Sequence, residues 1–219
     1  DKAPGHFLNL INKDIFAQYD KLGFKYIFCS RDLQITNTIS FTKYAHRYNA
    51  LGGMVTSWAR EVDFYLQAYP HYAFAGRLWN LPNPYDVDTD KLFDEVIAQI
   101  TQTSDPAVIK AIKTHHHLRD MGFGIRTTYA RGEVCPLEEE LGRGLELILE
   151  MLKNAESNNE IIEDVRIAVA EKLAAYRLRK AIPEYILRKL RRQPQIDIKP
   201  LLKDRQDVFA QRERQWQRL

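Results

Sequence analysis

The chain has 219 residues, 45% of them hydrophobic and 11% aromatic, and a net charge of +3 at neutral pH. That size supports one good core or two small ones and excludes disorder as the default reading. Its longest apolar run is a few residues, far short of the roughly 20 that cross a bilayer, and nothing near Asp1 has the charged-then-apolar pattern of a signal peptide, so the chain reads as soluble.

In chain order, strand-like material comes first, at Phe24 to Cys29 and Leu33 to Thr36. The strongest periodicity follows. Phe41, Tyr44, Tyr48, Leu51, Val55, Trp58, Val62, Tyr65 and Tyr69 advance in steps of three and four, which predicts one helix face. Thr38 or Ser40 can cap its start, Pro70 is expected to end it, and Gly52-Gly53 predicts a kink in its middle, a close approach of another backbone being the alternative. The stretch Pro70 to Asp88 then reads as a long aromatic loop. Leu92, Phe93, Val96, Ile97 and Ile100 mark a helix started by Asp88 or Thr89, and Ser104-Asp105-Pro106 opens the next. A hairpin is expected from Ile125 to Cys135, turning near Arg131-Gly132. Pro136 opens an acidic helix carrying Leu141, Leu145, Ile148 and Leu152, and the Ser/Asn stretch Ala155 to Asn159 reads as its terminating turn. Ile162, Val165, Val169, Leu173 and Tyr176 define another helix, which Pro183 is expected to break or kink before a short basic helix from Ile182 to Arg192. A last helix has Asp197 as its cap and Pro200 in its first turn. The pattern predicts a mainly α protein. Its multi-helix globular body spans residues 1–155 with a small β element, and a basic helical C-terminal extension spans 160–219.

The near-neutral total conceals a one-sided distribution of charge. From Arg166 to Leu219 there are fifteen Lys and Arg against six Asp and Glu, and before Arg166 there are seventeen against twenty-three. Basic ends of this kind meet nucleic acid, an anionic membrane or an acidic protein. Arg177, Arg179, Lys180, Arg188, Lys189, Arg191 and Arg192 are grouped so that a helix can lay several cations along a phosphate backbone. The competing reading is a solvated helix face whose Ile186, Leu187 and Leu190 pack inward and whose cations pair with Glu171, Glu184 or the acidic stretch from Glu138 to Asp164.

Other constellations carry less. Of the 11 aromatics between Phe41 and Tyr85, those on the helical stripe are expected in the core, which leaves Phe64, Tyr72, Phe74, Trp79 and Tyr85 as candidates to meet a ligand. His115, His116 and His117 cannot converge on one ion, because adjacent helical residues fan out by about 100° each. Gly122-Phe123-Gly124 lacks the third glycine and the preceding strand of a phosphate loop. Cys29 and Cys135 are too few for a disulfide framework, sit in apolar surroundings that predict unreactive buried thiols, and favour a reduced compartment.

The residues therefore point to a non-enzymatic, nucleic-acid-binding protein of the cytoplasm, without metal or cofactor, that contacts DNA or RNA phosphates through its basic C-terminal region. The alternative is a subunit or adaptor of a larger assembly whose last helix docks on a partner through an apolar stripe containing Leu202, Phe209 and Trp216. Asp1 in place of an initial Met is consistent with a processed product or a fragment.

Overall fold

The structure, a computed structural model, describes residues 15–31, 35–56, 65–121, 136–155 and 159–218. Among them are eight helices and two strands: α1 (Ile15–Lys21), β1 (Ile27–Arg31), α2 (Ile35–Arg47), β2 (Gly52–Thr56), α3 (Tyr65–Trp79), α4 (Thr89–Thr101), α5 (Pro106–Met121), α6 (Pro136–Leu152), α7 (Glu160–Leu190) and α8 (Lys199–Trp216). The protein is mainly α with a small β element. No described helix is long and apolar enough to cross a membrane. The chain divides into two units, Asp1–Asp105 and Pro106–Leu219. The turn after Leu152, where charge patterning puts a boundary, lies inside the second unit and joins α6 to α7.

In the first unit the expected helix from Phe41 to Tyr69 is three elements. Its first part is the end of α2, closed by a Schellman turn in which Asn49 takes a left-handed φ of 50° and the Ala50 N–H reaches back 2.9 Å to the Ala45 carbonyl. Gly52-Gly53 then begins β2, which pairs in parallel with β1 so that Phe28 stands opposite Gly53. A Cβ on Gly53 would lie 2.0 Å from the Phe28 ring, so the glycine marks a close approach and not a kink. The parallel order follows from the crossover by α2. Thr38 and Ser40 lie within α2, not at its start, and the strand read at Leu33–Thr36 gives way to the first turn of α2 where it is described.

Packing explains why the steps of three and four misled. Phe41, Tyr44 and Tyr48 do share an α2 face, against Phe16, Phe28 and Ala45. The Phe16 ring stacks on Tyr44 at 5.7 Å, and Phe28 meets Trp79 edge-on at 5.6 Å. Val55 belongs to a strand, and Tyr69 is exposed on α3. Pro70 sits inside α3 instead of ending it, at a cost of one backbone donor. The expected aromatic loop is thus helical as far as Trp79. Its Phe74 is fully buried against Phe93, with ring centroids 5.2 Å apart, and Tyr85 is exposed with its hydroxyl donating to the Lys43 carbonyl at 2.7 Å. Trp58, Phe64, the Tyr65 side chain, Gly122 to Gly124, the hairpin at Ile125 to Cys135 and Cys135 itself lie outside the described residues. Asp88 caps α4 as expected, its Oδ1 accepting from the Asp90 and Lys91 N–H groups at 3.0 and 3.1 Å.

The second unit packs α5 on α6, α6 on α7 and α7 on α8. Its core holds Val108, Ile112, Leu145, Ile148, Val165 and Val169. Gly142 lets α6 and α7 approach, since a Cβ there would lie 2.4 Å from the Tyr176 ring. Asn159 caps α7 through bonds from the Ile161 and Ile162 N–H groups. Pro183, where a break or kink was expected, does not break the helix, which runs for 31 residues through it. Proline removes one donor and crowds the carbonyl four residues earlier, that of Arg179, on an exposed stretch where water can take up the freed acceptor. Asp197 accepts the Lys199 N–H at 3.0 Å at the start of α8.

Candidate interaction surface

The seven cations proposed to meet phosphate lie on α7 and just beyond it, and they fall into two groups. Arg177 and Lys180 face α6: the Arg177 guanidinium lies 3.1 Å from Glu146 and the Lys180 ammonium 3.5 Å from Glu139. Arg188 directs Nε and Nη2 onto one oxygen of Glu184, one turn earlier, at 2.9 and 2.6 Å. These three are neutralised by the chain's own carboxylates. Arg179 is exposed on the same helix. Lys189, Arg191 and Arg192 are exposed and make no ion pair among the described residues.

The end of α7 explains their placement. Its last turn closes in a Schellman motif, with the Gln193 N–H on the Arg188 carbonyl at 3.0 Å and the Arg192 N–H on that of Lys189 at 3.3 Å. Arg192 therefore adopts a left-handed φ of 53°, a position that favours glycine. Three positive charges at this C-terminus also complement the negative end of the helix dipole.

The apolar side chains beside them are bare. Ile186, Leu187 and Leu190, expected to pack inward, are exposed together with Ile182, and Leu190 is 75% exposed. Burial along α7 stops at Leu178. The reason is the length of α8. The buried guanidinium of Arg212 in α8 bonds to Asp164 and, at 3.1 Å, to Glu171. Burial disfavours its charge, but the bonds and fields of Glu171 and Asp164 outweigh this and raise its pKa further. That triad sets α8 against the N-terminal half of α7, so the two form an antiparallel hairpin. Both helices rise about 1.5 Å per residue, so Lys199, the first residue of α8, reaches only to about the level of Lys180.

On α8 itself, Leu202 and Phe209 are exposed, and the Arg205 guanidinium lies 5.3 Å from the centre of the Phe209 ring. Trp216, the third member of that stripe, is half-buried. The docked side of the helix is Val208, Arg212 and Gln215. Sequence reasoning missed Arg212. Its signal was the spacing Val208, Arg212, Gln215 at one helical face, which a hydrophobic pattern scores as polar.

The first unit holds a buried polar chain that the sequence did not reveal. The His71 Nε2 lies 2.7 Å from the Thr38 hydroxyl, which donates to Ser30 at 2.9 Å, and all three residues are at most 1% exposed. Because the one hydroxyl hydrogen of Thr38 points at Ser30, Nε2 must carry the proton and donate to Thr38. Burial lowers the His71 pKa to about 3, so the ring is neutral at physiological pH. Trp79 adds a bond to Thr42 at 3.1 Å, and Thr42 donates to the Thr38 carbonyl at 2.7 Å. Closed from solvent, this network fixes α2 between β1 and α3. Cys29, expected to be buried, is exposed next to it with its Sγ 3.4 Å from the Thr56 hydroxyl, because β1 turns alternate residues to opposite faces and buries Phe28 and Ser30 instead.

His115 and His116 are buried on α5 and His117 is exposed. Among the described residues no group of three or more His, Cys, Asp or Glu side chains is placed to hold a metal. No protein-family model, curated protein or solved structure matches this chain.

Proposed function

We propose that this chain is a helical subunit or adaptor of a larger protein assembly and docks through the hairpin of α7 and α8. The observation that carries this reading is the bare apolar face at the end of α7, formed by Ile182, Ile186, Leu187 and Leu190. Water-exposed aliphatic side chains grouped on one helix end are costly to leave uncovered, and because Ile182, Ile186 and Leu187 are already half covered, burying the remainder is worth about 1 kcal/mol each. Leu202 and Phe209 extend the apolar character to α8. A photo-crosslinking residue at position 190, introduced into the full chain in its native extract, is expected to capture one protein reproducibly. The same residue at the exposed Glu213 serves as the control. Equal labelling at both positions, or none at 190, overturns the reading.

A second reading is contact with nucleic acid, supported by Lys189, Arg191 and Arg192, which stand exposed and unpaired among the described residues. Three phosphate contacts would give a shallow salt slope, about −2.7 in log affinity against log salt for duplex DNA. Titration of the full chain against labelled DNA and RNA at several salt concentrations tests it. Binding that survives Glu at all three positions, or no binding, counts against it.

A further inference from the structure

We infer that the end of α7 is the docking site of an acidic amphipathic α-helix supplied by a partner protein. This rests on the assembly reading above and names its partner. Two observations select the occupant. The first is shape. Ile182, Ile186 and Leu190 follow one another at i+4 steps, each about 40° further round α7, and form an exposed inclined ridge of the kind that seats in the groove of another helix. The segment from Arg191 to Ile198, whose Pro194 carbonyl accepts from Arg188 at 3.4 Å, returns to the start of α8 beside it. The second is charge. Lys189 lies on the last turn, and Arg191 and Arg192 follow it, with no carboxylate among the described residues paired to them. Glu184, the carboxylate of the same turns, is engaged by Arg188. A second copy of this chain would bring the same three cations against themselves, so the charge disfavours self-pairing and favours a partner with Asp or Glu flanking its apolar stripe.

The test uses the full chain and a pool of synthetic 18-residue stapled helices, with Leu, Ile, Met or Phe at the i, i+3, i+4 and i+7 positions and either all-Glu or all-Lys flanks. Binding is read by fluorescence anisotropy at physiological salt. The Glu-flanked pool is expected to bind about tenfold more tightly than the Lys-flanked pool, and K189E/R191E/R192E should reverse that order. Leu190→Asp should abolish binding of both pools, while Leu190→Met, which keeps the apolar volume, retains it. Equal affinity of the two pools overturns the inference, as does preference for a 20-nucleotide DNA or RNA strand over every helix. Concentration-dependent dimerisation in sedimentation that is lost in Leu190→Asp would identify a second copy as the occupant and likewise overturn it. Protein crosslinking at position 190 without any helix bound leaves the assembly reading standing and removes the acidic helix; absence of both removes the two together.

Discussion

His71 makes acid the sharpest probe of the first unit. Its imidazole is neutral in the folded chain, with a pKa lowered by burial to about 3, and is free to titrate near 6.5 when unfolded. Between those values the unfolded state binds more protons than the folded state, so stability rises with pH and is lost as pH falls through 6.5 towards 3. Integrating this difference from pH 7 to pH 5 gives a loss of about 2 kcal/mol, and the full window amounts to about 5 kcal/mol. The interval from pH 7 to 5 is the useful one, because ordinary carboxylates begin to protonate below it. His71→Gln supplies the control: its amide can still donate to Thr38 but does not titrate. In urea unfolding, read by ring-resolved signals of the Phe16 and Trp79 cluster, the wild type should lose about 2 kcal/mol more than His71→Gln between the two pH values. Nitrogen-resolved imidazole spectra should show His71 retaining its Nε2–H form to below pH 4. Equal pH slopes in the two proteins, or a folded-state titration near 6.5, would refute the argument.

Arg212→Ala leaves Asp164 and Glu171 buried without their cation and should cost about 3–5 kcal/mol, seen as a lower urea midpoint and as faster amide exchange along α8 before the rest of the second unit. Arg192→Gly relieves a left-handed backbone and should stabilise the second unit by about 1 kcal/mol in the same assay, although it removes a charge from the helix end. Gly53→Ala drives a methyl into the Phe28 ring and should destabilise the first unit by about 1–3 kcal/mol; pairing it with Phe28→Leu should recover part of that loss, and a neutral Gly53→Ala would show that β1 and β2 are not in this register. Exchanging Arg177 with Glu146 should change stability by less than about 1 kcal/mol, since both side chains are about half exposed, and thermal unfolding of the single and double variants measures it.

Helix existence was legible wherever a cap and a period agreed. Asp88 before Leu92 and Phe93, Pro106 and Pro136 each combine a local start signal with a repeating apolar face, and all three helices are found. The failures share a cause. Phe41 to Tyr69 keeps a helical period across two helices and a strand because aromatic spacing is counted along the chain, whereas Gly53 is a glycine for the sake of Phe28, 25 residues earlier. The local cost of Pro70 and Pro183 is plain in sequence, whereas the burial of Pro70 within α3 and the exposure that lets water take up the carbonyl freed by Pro183 are not. At the basic end the charges were legible in sequence, but which of them meet Glu139, Glu146 or Glu184 depends on the packing of α6 and on helix phase.

Composition, capping and periodicity by themselves determine a helical protein with a minor β element and a basic C-terminal end, since these are properties of neighbours within a few residues. The tertiary structure alone decides where α8 stops covering α7. That boundary comes from the pairing of Arg212 with Asp164, 48 residues apart, and from the equal rise of two antiparallel helices of unequal length. Because of it Ile186, Leu187 and Leu190, which one reading of the sequence packs inward, stand exposed at the end of the longer helix.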